Sequence, residues 1–314
     1  MPGSCNGQLS ALYVNDTLTT GDTYTTGSGS NVNSGTSTAP FRSISHALSI
    51  ADPGDTIFVD AGIYTESVNI DKRIFIFGSN ANISPNSGIR ISESMLSGAN
   101  SLTSSVTERI IIKGFRFVTD SGYTFNTVIP GTDIRFEKNI LDGCVGLNFT
   151  EPDSLNLYDN NFKDIDSSSE SSVTINGNYN GETGTNIEIS SNIWRNCFSS
   201  GLKMKNVMGS VYNNDLNFIY DYGIIIDSIF NLNINKNVFN SIIRHNESSV
   251  TAGAGILVST AASGSVTHIY ENYFTNNYSG MVVKSNDNPS GTNIAVNNNS
   301  FLENTNDNIK NLAN

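Results

Sequence analysis

Charge is scarce in this sequence, and basic charge is scarcer than acidic charge. Only 15% of the 314 residues are charged, with 17 lysines and arginines against 29 aspartates and glutamates, and the formal net charge is -12. Phosphate binding needs clustered lysine and arginine, so this balance argues against a nucleic-acid partner. The same charge balance is compatible with an anionic glycan ligand, held by a local basic patch or by bridging Ca²⁺.

Long apolar runs are missing as well. No stretch reaches the roughly 18 to 20 apolar residues that a membrane-spanning helix needs. Polar sequence follows the first four residues, MPGS, without the features of a signal peptide, so we expect a mature fragment that begins with an expression remnant. Low charge together with abundant Ser, Thr, Asn and Gly is typical of an extracellular or cell-surface protein.

The sequence is instead rich in one repeated phrase: apolar, any residue, apolar, any two residues, asparagine, any residue, apolar. Its alternation of apolar and polar residues has period two, which is typical of strands. The repeated asparagines are Asn139, Asn160, Asn192, Asn214, Asn237, Asn272 and Asn299. The basic step of about 22 residues, lengthened by insertions, indicates one turn of a parallel β-helix for each copy.

A second strand, often opened by glycine, lies between the copies, as in GLKMK at 201–205 and GIIID at 223–227. Stacked coils bury a continuous apolar column that no single coil can bury alone. Because rungs lie ~4.8 Å apart, the repeated asparagines are able to form a ladder of amide hydrogen bonds. The alternative is that they only mark turns, and in both interpretations their role is structural.

We therefore predict an all-β fold, a single-stranded right-handed parallel β-helix solenoid of about ten coils. Residues 1–39 form a loop-rich N-terminal extension with one short strand at 11–15. Residues 40–314 form the β-helix, including a capping helix at 40–51 that protects the edge of the first rung. No amphipathic helix follows Phe301, so we expect a further domain or partner at the open C-terminal end.

Cysteine is rare, with Cys5, Cys144 and Cys197 as its three positions. Cys144 and Cys197 each follow a repeated asparagine by five residues, so they occupy the same column of the solenoid. One coil lies between them, which separates them by about two rungs, ~9 to 10 Å. That distance is beyond the reach of a disulfide, and we predict two free, buried thiols.

The segment from residue 35 to residue 78 resembles a known superfamily. Residues 35–41 (GTSTAPF), 52–57 (DPGDTI), 62–66 (GIYTE) and 68–72 (VNIDK), with 13–16 (YVND) ahead of them, look like the N-terminal cap of the pectate-lyase-like superfamily. They are most similar to secreted or surface β-helix proteins of the Bacteroidetes type. The resemblance implies the fold and not an activity, since relatives include lyases, esterases, hydrolases, epimerases, adhesins and phage tailspikes.

Aligned on their leading glycines, the second strands gather charged residues on one side. If even offsets point outward, then Lys203, Lys205, Asp227 and Lys284 share one face. A polysaccharide lyase needs a base for the proton beside a uronate carboxylate, and Lys205 with Asp227 as charge partner is the candidate. Lys203 and Lys284 are candidate substrate-binding residues. The alternative is an ordinary ion pair between neighbouring rungs.

Two insertions, 166–184 and 243–253, are expected to flank this face. Arg244 and His245, on the second insertion, are candidates to assist catalysis. Asp221 and Tyr222, at the entry of the middle coil, complete the substrate-binding set. No metal ligands are identified, although residues 285–289 (SNDNP) offer oxygen atoms to Ca²⁺ and are more simply read as a turn.

Motifs of the enzymatic relatives are missing: there is no Asp-Pro-His-Glu run, no Gly-His-Gly, no adjacent aspartate pair and no Arg-x-Pro-x-x-Arg. Their absence favours a secreted or cell-surface module that binds polysaccharide or mediates adhesion without catalysis. A polysaccharide lyase or related enzyme acting on acidic glycans is the first alternative. A phage tailspike or fibre segment, which would be a trimer, is the second. Whether the protein is an enzyme stays open at this point.

Overall fold

The computed structural model describes residues 10–102, 108–118, 123–127, 131–165, 171–178, 184–229, 231–244, 249–261, 266–284 and 293–312. Within them the chain winds into successive coils, and each regular coil adds one strand to each of three parallel sheets. We name the sheets A, B and C in the order in which the chain visits them. The predicted all-β parallel β-helix of about ten coils is confirmed.

Each sheet stacks its strands in the order of the chain. Sheet A contains β1 Ala11–Val14, β2 Thr56–Val59, β5 Phe75–Gly78, β8 Ile110–Lys113, β11 Asp133–Glu137, β14 Ser154–Tyr158, β17 Thr185–Ser190, β20 Val207–Tyr212, β23 Leu232–Asn235, β26 Val266–Tyr270 and β29 Asn293–Asn297. Sheet B contains β3 Gly62–Tyr64, β6 Ser94–Leu96, β9 Phe115–Phe117, β12 Ile140–Asp142, β15 Asn161–Lys163, β18 Ile193–Cys197, β21 Asp215–Tyr220, β24 Val238–Ile243, β27 Tyr273–Thr275 and β30 Ser300–Leu302. Sheet C contains β4 Asn69–Ile70, β7 Asn100–Leu102, β10 Phe125–Thr127, β13 Leu147–Thr150, β16 Ser171–Asn176, β19 Ser200–Lys205, β22 Tyr222–Ile229, β25 Ala254–Ala261, β28 Ser279–Val283 and β31 Ile309–Asn311.

The core is a column of inward side chains that runs along the solenoid. Like residues stack on like from one coil to the next. Phe162 and Trp194 lie with ring centres 4.7 Å apart and planes 7° apart. Phe239, Phe274 and Phe301 continue in the same way, at 4.8 and 4.9 Å. Each coil therefore completes the burial of its neighbours, as stacked repeats require.

The asparagine ladder is confirmed and runs through all the repeated positions. Asn192 shows the pattern: its Oδ1 accepts from the backbone N and from the Nδ2 of Asn160, at 2.8 and 2.9 Å. Its own Nδ2 donates to the Oδ1 of Asn214 at 3.0 Å. The same exchange links the asparagines from Asn139 to Asn299. The ladder satisfies backbone amides at one corner of each coil from Asn139 to Asn272.

The capping helix, α1 Ile44–Ile50, is shorter than the predicted span 40–51. It begins later because Ser43 is its N-cap, with a side chain that accepts from a backbone amide of the first turn. The carboxylate of Glu66 accepts from two more of those amides, at 2.8 and 2.9 Å. At the other end, the Lys72 ammonium donates to two main-chain carbonyls at 3.0 and 3.2 Å. A negative charge thus lies at the N-terminus of the helix and a positive charge at its C-terminus, which is the arrangement that the helix dipole favours.

The N-terminal extension is attached to the solenoid through its strand. The strand predicted at 11–15 is present as β1, which pairs with β2 at the edge of sheet A. The loop that follows is held by Asp60, a fully buried carboxylate that accepts from the backbone amides of Thr23, Tyr24 and Thr25 at 2.5, 2.8 and 2.7 Å. The division of the chain at residue 39 stays a prediction.

The last coil buries its inward side chains less completely than the others do. Ile294, Val296 and Phe301 pack against the core but are only partly buried, and Ile309 is 48% exposed. β29, β30 and β31 are the final strands of their sheets. Cover of this end by a further domain or partner stays a prediction.

Neither Cys144 nor Cys197 forms a disulfide, and both thiols are buried, as predicted. Burial raises the pKa of the Cys197 thiol to about 12. Reactivity requires the thiolate, so we expect neither thiol to react with Ellman's reagent in the folded protein at about pH 8. In denaturant both should react. A Cys5→Ser variant removes the third thiol from the measurement, and rapid labelling of that folded variant would contradict the burial of both side chains.

Candidate functional site

The outer face of sheet C carries the charged residues singled out from the sequence. Strand β19 alternates buried and solvent-facing side chains, with Leu202 and Met204 buried, Lys203 half-buried and Lys205 exposed. In the next coil, β22 places Asp227 opposite Lys205 as its Cα partner. Lys203 and Lys205 therefore share one rung, and Asp227 lies on the next rung, about 4.8 Å along the stack. We call these three residues the lysine face.

The rungs before the lysine face continue it with uncharged polar side chains. Thr174 is the Cα partner of Lys203, and Asn176 is the partner of Lys205. Two coils earlier, the Nδ2 of Asn148 donates to the Oδ1 of Asn126 at 2.8 Å. Amides and hydroxyls in register beside lysines suit a chain of hydroxyl and carboxylate groups.

Lys284 lies on the same side of the sheet but further along. It follows β28, and its backbone N donates to the carbonyl of Val258 at 2.8 Å. Counting four residues from the leading glycines, Gly223 and Gly255, sets Ser259 level with Asp227. The structure places Thr260 there instead, because the β22–β25 pairing has register shifts around Asp227. Such an extra residue is a β-bulge. Lys284 is thus two coils from Asp227, about 10 Å away along the stack.

An outward apolar cluster begins beside Asp227, which the charge pattern did not predict. Leu257 is 7% exposed and Val282 is fully buried, although both occupy the outward column of Lys203 and Ile225. They belong to an apolar cluster separate from the main core, whose members are Tyr222, Ile225, Ala254, Leu257, Val282 and Leu312. The column of Lys203 therefore becomes apolar from Ile225 onward.

Tyr222 begins β22, and Arg244, which follows β24, contacts the same residue as Tyr222 does, Ser249. The Tyr222 hydroxyl lies 2.7 Å from Thr251 Oγ1 and 3.4 Å from Ser249 Oγ. Arg244 donates to the carbonyl of Ser249 at 3.1 Å and to the Tyr278 hydroxyl at 3.2 Å, and its guanidinium lies 4.9 Å from the centre of the Tyr278 ring. These contacts fasten the insertion to the coils.

Asp221 contributes to the same corner through its backbone. Its φ is +64°, and its carbonyl accepts from Gly253 and Ala254 at 2.6 and 3.1 Å. His245 and residues 285–289 lie outside the described residues. Among the residues that are described, no three His, Cys, Asp or Glu side chains converge as a metal site.

Two carboxylates on the outer face of sheet B have shifted pKa values that the sequence did not reveal. Burial raises the pKa of Asp215, and the charge of Arg195 offsets only part of that effect. Burial acts in the same direction on Asp142, but hydrogen bonds from Lys163 and Arg116 outweigh it and lower the pKa of this carboxyl. A shifted pair is a signature of glycosidases. These two lie three coils apart, about 14 Å, which exceeds the separation of roughly 5 to 9.5 Å in such enzymes.

A regular set of tyrosines on sheet A was also missed. Tyr158, Tyr212 and Tyr270 occupy one outward column, on alternate rungs. Each stands two residues before a ladder asparagine, so the spacing was legible in the sequence. The repeated phrase allows any residue two positions before its asparagine, so the phrase did not single out the tyrosines.

In the described part of the chain, no helix is both long and apolar enough to cross a bilayer. The family described as "Protein of unknown function (DUF1565)" matches residues 27–191, which is more than half of the chain. No curated protein matches the chain.

Two solved structures share part of the architecture. One is a GH136 lacto-N-biosidase from Eubacterium ramulus, with 9% identity and a TM-score of 0.41 over 94% of this chain and 68% of that one. The other is an alginate lyase from Paenibacillus sp. str. FPU-7, with 12% identity and a TM-score of 0.27 over 84% of this chain and 96% of that one. At these scores neither likeness carries an argument about the function of this chain.

Proposed function

The chain belongs to the DUF1565 family, whose description assigns no function, and from the geometry of sheet C we propose that it is a polysaccharide-binding module for an anionic glycan that it does not cleave. The observation that carries this proposal is the lysine face, where Lys203 and Lys205 project from one strand in a protein with a net charge of -12. A basic patch on an acidic protein selects an anionic partner locally, while the remaining surface repels it. The lysine face would serve both for polysaccharide binding and for adhesion at a cell surface.

The neighbouring side chains support binding rather than catalysis. A lyase needs a base and a second cation that neutralises the uronate carboxylate. Lys205 and Asp227 supply a candidate base with its charge partner. Arg244, the arginine predicted to assist, directs its guanidinium to Tyr278 and Ser249. We therefore assign Lys203 and Lys205 to glycan binding, with Lys284 further along, and assign Tyr222, Asp221 and Arg244 to the architecture of the corner.

The wider assignments follow from the same proposal. Membership of the pectate-lyase-like superfamily rests on the cap segments 35–41, 52–57, 62–66 and 68–72. An extracellular or cell-surface location in bacteria suits a glycan ligand and agrees with the low content of charged residues. Residues 1–39 are then the loop-rich N-terminal extension, and residues 40–314 form the binding solenoid.

The test is a polysaccharide panel run on the purified protein. Binding to polygalacturonate, alginate and chondroitin sulfate is measured by affinity electrophoresis, with and without Ca²⁺. Absorbance at about 235 nm reports the double bond that eliminative cleavage by a base would create. We expect retardation by at least one polyanion and flat absorbance. Rising absorbance that Lys205→Ala abolishes would establish the lyase alternative. A trimer that neither binds nor cleaves the panel would favour the fibre alternative.

A further inference from the structure

The outer face of sheet A carries an aromatic column that is separate from the lysine face. Strand pairing places Tyr158, Ser190, Tyr212, Asn235 and Tyr270 in one unbroken register on successive rungs. Asn297 follows on the last rung. Tyrosine thus alternates with a smaller polar residue, and we call Tyr158, Tyr212 and Tyr270 the tyrosine column. Two rungs separate each tyrosine from the next, which is about 9.6 Å.

We propose that the tyrosine column binds a neutral, extended β-1,4-linked glycan chain. In such a chain successive sugar rings are turned over, so the same ring face recurs at every second sugar, about 10 Å apart, which matches two rungs of the sheet. Each tyrosine then meets an equivalent sugar face, whose C–H groups pack on the aromatic ring. An α-1,4-linked chain coils and does not keep this repeat.

The charge of this surface selects a neutral ligand. From β14 to β29, the two outward columns of sheet A carry one carboxylate, Glu188, and no lysine or arginine. Their members are Asn156, Tyr158, Glu188, Ser190, Ser210, Tyr212, Asn233, Asn235, His268, Tyr270, Ala295 and Asn297. Within these two columns a polyanion would meet one repelling carboxylate and no cation, and the Lys138 ammonium beside Tyr158 is already paired with Asp159 at 3.1 Å. The amides, hydroxyls and carboxylate offer hydrogen bonds to sugar hydroxyls.

The tyrosines are positioned before any ligand arrives. Tyr212 donates its hydroxyl proton to Glu188 Oε1 at 2.6 Å, and the Nδ2 of Asn156 donates to the other oxygen of the same carboxylate at 3.1 Å. Tyr158 is 40% exposed, and its ring centre lies 5.5 Å from the ammonium of Lys138, which is itself paired with Asp159 at 3.1 Å. Side chains fixed in this way lose little conformational entropy on binding.

Titration calorimetry with cellohexaose, mannohexaose and xylohexaose tests the proposal, and binding of at least one of them is expected. The three tyrosines span about 19 Å, so a hexasaccharide reaches all of them and a disaccharide only one. We therefore expect the matching hexasaccharide to bind at least about tenfold more tightly than its disaccharide. Tyr212→Ala should weaken binding about tenfold, and Tyr212→Phe, which keeps the ring, should weaken it much less.

The control is Tyr273→Ala, because Tyr273 lies on the outer face of sheet B with an exposure of 38%, close to the 40% of Tyr158. It should leave hexasaccharide affinity unchanged. Neutral binding should also survive high salt and the removal of Lys203 and Lys205, which separates this site from the lysine face. Failure of all three hexasaccharides to bind, or equal losses in the Tyr212 and Tyr273 variants, would overturn the proposal.

Discussion

Asn192→Ala is expected to lower the free energy of unfolding by about 4 kcal/mol. The Asn192 side chain is fully buried and joins both neighbouring coils. Its removal leaves the amide groups of Asn160 without their acceptor and the carbonyl of Leu157 without the donor that now lies at 2.8 Å. Each buried group left without a partner costs roughly 1 to 3 kcal/mol. Urea unfolding followed by circular dichroism measures the change.

The matched control for this variant is Asn233→Ala. Asn233 lies on the outer face of sheet A and is only half-buried, so its loss should cost less than about 1 kcal/mol. Asn192→Asp distinguishes the contribution of the side-chain donor from that of the acceptor. An ionised carboxylate still accepts from Asn160 but cannot donate to the carbonyl of Leu157. A small effect of Asn192→Ala, similar to that of Asn233→Ala, would mean that the ladder contributes little to the stability of the solenoid.

The second large effect is expected at the lysine face. Lys203→Ala combined with Lys205→Ala should weaken polyanion binding about 100-fold, since two charge-assisted contacts of roughly 1.5 kcal/mol each are lost. The salt dependence of the affinity should fall in parallel, because fewer charges are screened. Isothermal titration with an oligogalacturonate at two salt concentrations measures both quantities.

Lys236→Ala is the control for the lysine pair. Lys236 follows β23 of sheet A, its side chain is 59% exposed, and its ammonium lies 3.9 Å from a Glu271 carboxylate oxygen. Its removal changes the net charge in the same sense without touching sheet C. We expect unchanged oligogalacturonate affinity. An equal loss in both variants would attribute binding to net charge and would contradict a site on sheet C.

The solenoid could be predicted because the regular coils repeat the same local sequence pattern and the same local structure. The period of the apolar residues fixes which side chains face inward, and the asparagines fix one corner, so Asn139 and Asn299 play the same role far apart in the chain. The placement of Cys144 and Cys197 in one column followed from counting within that period. Repetition makes the local and the long-range information agree.

The features that the sequence did not reveal depend on contacts outside the repeat. The start of α1 differs from the prediction because Ser43 caps the helix, and Glu66, far along the chain, accepts from two amides of its first turn. The register shift beside Asp227 has no local signal, and it moved Thr260 into the position expected for Ser259. The contacts of Arg244 with Ser249 and Tyr278 belong to an insertion, where periodicity says nothing. Inward and outward columns were also hard to separate around Val282, because apolar residues fill both.

The proposed function depends on the lysine face holding an anionic glycan without cleaving it. A crystal structure of the protein with a hexagalacturonate shows both the seat of the glycan and its chemical state. We expect the intact oligosaccharide along sheet C, with uronate carboxylates within about 4 Å of the ammonium groups of Lys203 and Lys205. An oligosaccharide seated on another face, or an unsaturated cleavage product beside Lys205, would contradict the proposed function.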